Sequence, residues 1–150
     1  MAGLTRAVDW FDKSLQNVVS SSGYEPLHRT QSMILMHIAL GIDRPSDIAR
    51  EMGLTRQNVH HMAKTLIDGG MIESSPDPED PRRSVYRLSE ESGELRDLAL
   101  DALAGMEQVL AQRIGQRRFE GLKSALEADW GNEIGDADEL SASLGKKRPR

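Results

Sequence analysis

Arg56, Gln57, His60, His61 and Lys64 fall within about 140° of one another when the stretch after Thr55 is wound as a helix at about 100° per residue. No carboxylate stands among them, and the acid of this stretch, Asp68, lies at its far end. These side chains are hydrogen-bond donors and cations. Arg and Lys suit phosphate oxygens, and Arg and Gln also suit base edges in a major groove. Val59, Ala63, Leu66 and Ile67, with Met62 at the edge, supply the apolar side that would hold such a face in place.

Other chemistries find less support. His60 and His61 are adjacent and cannot face one metal from a regular helix, and His28 and His37 are nine apart and point to opposite sides. No metal site and no cofactor are expected. The acids gather in helix first turns, in a proline-rich turn and near the chain end, where capping or solvated roles account for them. No nucleophile–base pattern or glycine-rich phosphate loop occurs, so no catalytic residues are assigned and no enzyme activity is expected. With no cysteine, disulfides, thiolate metal ligands and thiol redox sensing are excluded.

The 24 acids outnumber the 19 Lys and Arg, for a net charge of −5. Placement matters more than the total, because attraction to phosphates acts within a Debye length of about 8–10 Å. Aromatics are only 4% of the 150 residues, so Leu, Ile, Val, Met and Ala must build the core, which favours helices. The run Met33 to Ile42 is interrupted by His37 and too short to span a bilayer, and no secretory signal is visible at the amino end. A cytoplasmic location and no membrane partner are the expectation.

The donor face needs elements to position it. Leu4, Val8, Phe11, Leu15 and Val18 mark the seam of a long first helix, closed by Ser20 to Gly23. A dense apolar helix follows from about Leu27 to Leu40. Pro45 suits the first turn of a short helix that stops at Gly53. Thr55 caps the next, which Gly69-Gly70 ends. Met71 to Ser75 and Arg83 to Leu88 read as a hairpin around the turn Pro76 to Pro81. Ser89 is a candidate N-cap for a long helix from about Glu90 to Ile114, apolar over more than one stripe. Phe119, Leu122, Leu126 and Trp130 suggest a last helix. Residues 136–150 read as a polar, disordered tail whose basic end, Lys146 to Arg150, is expected to be simply solvated, with added nonspecific phosphate contacts as the alternative. The fold class is mainly α with a small β-hairpin, as one domain over 1–135.

Several of these segments together resemble the MarR family of winged helix-turn-helix regulators. They are Leu27-His28-Arg29-Thr30-Gln31, the run Ser46 to Thr55, Asp68-Gly69-Gly70-Met71-Ile72, and Asp77-Pro78-Glu79-Asp80-Pro81-Arg82-Arg83 leading to Leu88-Ser89. The resemblance extends over about residues 4–130. It implies a homodimer interlocked by terminal helices (about 4–22 and 90–130), with a DNA-binding part at about 27–89. The helix from Thr55 would enter the major groove of double-stranded DNA, and the wing would reach the minor groove. Arg82 matches the family's wing arginine and Asp80 the acid that braces it. Pro81 stands where a second wing arginine is common, which makes Arg83 the candidate substitute.

The resemblance further implies a pseudo-palindromic operator, repression, and relief by a small aromatic or phenolic effector. A cleft between the second and fifth helices, with Met33, Met36 and His37, is the candidate place for that ligand. The alternative function is a winged-helix protein-interaction module without DNA binding, which the overall acidity and Pro81 would suit.

Overall fold

The structure is a computed structural model that describes residues 2–144. Its elements, in chain order, are α1 (Ala2–Ser21), α2 (Arg29–Ala39), α3 (Pro45–Glu51), α4 (Arg56–Asp68), β1 (Ile72–Pro76), β2 (Ser84–Leu88), α5 (Gly93–Ile114), α6 (Gln116–Glu127) and α7 (Ala137–Ser143). They form two compact units, Met1–Val109 and Leu110–Arg150, whose boundary falls within α5. The fold is mainly helical with one antiparallel hairpin, the winged helix-turn-helix class the sequence predicts. No helix among the described residues is long and apolar enough to cross a membrane.

The core of the first unit lies where α2, α3, α4 and the hairpin meet. Ile34, Ile38, Ile48, Ala49, Val59, Ala63, Leu66, Ile72 and Tyr86 form one buried cluster. Each element contributes one side, so none of these short segments buries its apolar face without the others. Val59, Ala63 and Leu66 are buried as the wheel predicts, whereas Ile67 is 37% exposed. At about 100° per residue its angle falls between those of Arg56 and His60, within the donor face rather than opposite it.

Caps set the helix boundaries. The His28 imidazole accepts the Thr30 N–H, while the Gln31 side chain accepts the His28 N–H at 2.8 Å, a reciprocal box that starts α2. The Gln16 side chain accepts the Leu27 N–H at 2.7 Å and donates to the Ser32 hydroxyl at 3.1 Å, tying α1 to that same entry. At the other end of the helix-turn-helix, Gly53 takes φ 62°, letting the Leu54 N–H reach back to the Ala49 carbonyl at 2.9 Å. A Cβ there meets no neighbour, so the backbone conformation alone selects glycine. Gly53→Ala is expected to lower stability by about 1 kcal/mol, read as a lower urea midpoint with an unchanged slope.

Three boundaries differ from the sequence reading. The long helix begins at Gly93, not at Glu90, because the Ser89 hydroxyl accepts the Glu91 N–H at 3.1 Å and holds a turn instead of a helix start. Ser92 then donates from its hydroxyl to the Met71 carbonyl at 3.2 Å, fastening that turn to the residue just before β1. In the second unit α6 ends at Glu127, and Trp130 lies beyond it with its indole N–H donating to the Ala125 carbonyl at 2.7 Å. The stretch that reads as an unstructured tail contains α7, whose first N–H groups are accepted by the Asp136 carboxylate. The basic end at 146–150 lies outside the described residues.

Candidate nucleic-acid interface

The α4 face is built from its cap upward. The Thr55 hydroxyl accepts the Asn58 N–H at 3.2 Å, fixing the first turn, and the buried Val59–Ala63–Leu66 side fixes the rotation. Arg56, Gln57, His60, His61 and Lys64 are all exposed as a result. Among the described residues, no carboxylate pairs with Arg56 or Lys64.

The hairpin is short and closely tied. Its register pairs Ile72 with Leu88 and Pro76 with Ser84, leaving residues 77–83 as the tip. The Tyr86 N–H donates to the Asp43 carbonyl at 2.9 Å, which joins β2 to the segment just before α3. Inside the tip the Asp77 N–H donates to the Arg83 carbonyl at 2.9 Å, and the Asp77 carboxylate accepts the Glu79 N–H at 2.9 Å. The loop is therefore folded on itself.

The sequence reading missed the residue that anchors this tip. Arg44, extended at the start of α3, donates its Nε–H to the Asp77 carboxylate at 2.7 Å and a terminal N–H to Glu79. Asp77 is only 2% exposed. The Glu79 backbone N–H, together with the Arg44 guanidinium, holds the Asp77 carboxyl below the usual carboxylate range. The bonds to Asp77 and Glu79 in turn make Arg44 hold its proton more tightly than a free arginine. Only the arginine before a helix-starting proline hinted at it.

The sign of the pH effect follows. The folded-state value of Asp77 lies below its unfolded value of 3.8, so this contribution is complete above that pH and is lost as pH falls through the depressed value. The stability gap between the parent and Asp77→Asn is expected to be full near neutrality and to close in acid, as read by urea unfolding across the pH range.

Asp80 stands apart from that anchor. The family resemblance implies that it braces Arg82, but its carboxylate accepts only the backbone N–H of Arg82, at 3.1 Å, and pairs with the Arg83 guanidinium at 3.1 Å. The Arg83 N–H also donates to the Asp80 carbonyl at 2.8 Å, a turn that brings the Arg83 side chain within reach of the Asp80 carboxylate. Arg82 is exposed and has no carboxylate partner among the described residues.

These parts converge on a cleft of about 330 Å³ lined by Arg44, Pro45, Ser46, Arg56, His60, Arg82, Arg83 and Ser84. Four of the sequence-predicted residues, Arg56, His60, Arg82 and Arg83, are thus brought together from α4 and the wing. Gln57, His61 and Lys64 share the exposed side of α4 but do not line the cleft. Four arginines and two serines surround this opening; Arg44 is engaged by Asp77 and Glu79 and Arg83 by Asp80, whereas Arg56 and Arg82 have no carboxylate partner among the described residues.

The candidate ligand residues on α2 divide. Met33 is half-buried, Met36 is exposed, and His37 is buried with its Nδ1 at 2.7 Å from the Met33 carbonyl. Among the described residues no group of His, Cys, Asp and Glu is arranged to hold a metal.

A short helix, a left-handed glycine turn, a capped second helix and an arginine-bearing hairpin packed on both define a winged helix-turn-helix protein. Residues 26–83 match the model of the MarR family. Over that stretch the chain is similar to the MarR family, and its fold is that of a winged helix-turn-helix protein.

Solved structures agree on the fold. Wild-type MarR of E. coli, in its apo form, is 17% identical with a TM-score of 0.65, covering 85% of this chain and 94% of that one. CouR of Rhodococcus jostii, bound to p-coumaroyl-CoA, is 18% identical with a TM-score of 0.63, covering 83% and 86%. A MepR mutant of S. aureus, bound to an oligodeoxyribonucleotide, is 18% identical with a TM-score of 0.55, covering 95% and 96%. No curated protein matches the sequence.

Proposed function

We propose that the chain is a sequence-specific regulator that binds double-stranded DNA as a homodimer on a pseudo-palindromic site and represses transcription there. The observation that carries this reading is the cleft in which Arg56 and His60 of α4 meet Arg82 and Arg83 of the wing. In this arrangement α4 enters the major groove, with Arg56 and Gln57 as base readers, and His60, His61 and Lys64 complete the contact. Arg82 and Arg83 lie along the flanking backbone and minor groove. The oligodeoxyribonucleotide bound to the MepR mutant supports the same use of this fold.

The homodimer is supported by apolar side chains left exposed on the terminal helices. Leu4 and Val8 of α1, Leu100, Leu103 and Val109 of α5, and Leu122 and Leu126 of α6 are each at least 36% exposed. Two copies that bury these residues place two α4 helices on one duplex, which is why the site should be two-fold symmetric. A small aromatic effector belongs to the reading as well, supported by the p-coumaroyl-CoA bound to CouR. A half-buried Met33 beside the buried His37 is the place on α2 where such a ring would lodge.

Selection from a random duplex pool tests the function directly. The expected result is enrichment of one inverted repeat, bound by two chains as judged by sedimentation. A pool that stays random through successive rounds would remove sequence-specific binding and favour the protein-interaction reading. Release of the selected duplex by a phenolic acyl thioester, and not by the thiol carrier alone, is the expected behaviour for the effector.

A further inference from the structure

Within the donor face of α4, His60 is held by a side chain of the wing. The Tyr86 hydroxyl lies 2.8 Å from His60 Nδ1. The two rings meet edge to face, 84° apart, with centroids separated by 6.2 Å. Tyr86 is 3% exposed, belongs to the core cluster, and has its backbone N–H fixed to Asp43. The phenol is therefore the rigid partner and the exposed imidazole the one that adjusts.

A neutral imidazole has one donor and one acceptor nitrogen, and the partner at one nitrogen decides the role of the other. Burial pushes the Tyr86 phenol above its ordinary value of 10.0, so it remains a protonated donor. A buried O–H requires an acceptor, and Nδ1 is the one within reach. The proton of His60 is then left on Nε2, the remaining polar atom of a ring that lines the arginine cleft.

We propose that Tyr86 is a positioning residue for duplex recognition, locking His60 in the Nε2–H tautomer so that this N–H meets an acceptor on the DNA. The acceptor is a purine N7 or a phosphate oxygen, which offer the same hydrogen-bond chemistry to Nε2–H. The proposal rests on the DNA-binding reading of α4. It adds that the wing, through a buried strand residue, sets what one α4 side chain can read. A histidine free to choose its tautomer would present a donor to some duplexes and an acceptor to others; a locked one discriminates between them.

The test has a readout that needs no DNA. Nitrogen-15 NMR of the free protein should show His60 as a single Nε2–H tautomer with Nδ1 accepting, and Tyr86→Phe should return it to a mixture while keeping the ring in the core. On the selected duplex, Tyr86→Phe and His60→Ala should each weaken binding by roughly threefold to tenfold. The double variant should bind no worse than His60→Ala, because both changes remove one interaction. Replacing a contacted purine by its 7-deaza analogue, or a contacted phosphate by methylphosphonate, should abolish the difference between parent and Tyr86→Phe at whichever group His60 meets.

An Nδ1–H tautomer in the parent, which is read without any variant, overturns the proposal. So does duplex binding in which the two losses multiply. A locked Nε2–H in a parent that binds no duplex overturns instead the DNA-binding reading on which the proposal stands.

Discussion

Replacing Arg56, Arg82 and Arg83 together with alanine is expected to weaken binding of the selected duplex by about a thousandfold or more, with the fold intact. Each removed cation forfeits a phosphate or base interaction of roughly 1–3 kcal/mol. The three stand around one cleft, and in the proposed homodimer the change is carried twice. The exposed positions of all three predict little effect on stability, within about 0.5 kcal/mol for each change made away from core and caps. The dependence of affinity on salt should flatten as well, by roughly 0.9 in logarithmic slope for each phosphate that is no longer neutralised. Fluorescence anisotropy over a range of salt concentrations checks both parts. A steep, unchanged slope in the triple variant would mean that the arginine cleft is not where the backbone lies.

Leu66→Ala is the complementary case, in which the fold and not the surface fails. Leu66 is 1% exposed in the cluster shared by α2, α3, α4 and the hairpin. Its carbonyl also accepts the Met71 N–H at 2.8 Å, closing α4 onto the start of the hairpin. Truncating a leucine in such a site costs about 3–5 kcal/mol, a large share of a typical stability of roughly 5–15 kcal/mol. Urea unfolding should show the loss as a shifted midpoint. Lys64→Ala, two residues away on the exposed side, should leave that midpoint in place and reduce duplex affinity instead. An equal effect of both on stability would show that α4 is not divided into a packed and a free side.

Much of this division was legible in the sequence because it rests on local periodicity. Val59, Ala63 and Leu66 recur at helical spacing, Thr55 caps, and Gly69-Gly70 ends the helix, so the rotation of α4 follows from neighbours in the chain. Ile67 marks the limit of that reading: its hydrophobicity suggests the core, whereas its angle puts it near the donors. The hairpin was equally legible from strand-forming residues on either side of a proline-rich turn.

What the sequence withheld is the contact that seats the wing. Arg44 and Asp77 are 33 residues apart, and an aspartate among Pro76, Pro78, Glu79 and Asp80 reads as part of a solvated turn. Its burial arises only when β2 docks beside Asp43 and brings the tip over the start of α3. The choice of Arg83 over Arg82 as partner of Asp80 also depends on the turn closed between the Arg83 N–H and the Asp80 carbonyl, which composition alone does not reveal. Helix α7 was hidden for a different reason: its polar composition resembles a tail, and the Asp136 cap is a local device inside it.

Mapping backbone and side-chain NMR shifts as the selected duplex is added tests the central claim most directly, since it locates the interface without altering a residue. The account predicts large changes at residues 56–64 and 82–84, with α6 and α7 little affected by direct contact. Perturbation concentrated on α6 or α7, with the exposed side of α4 silent at saturation, would contradict it.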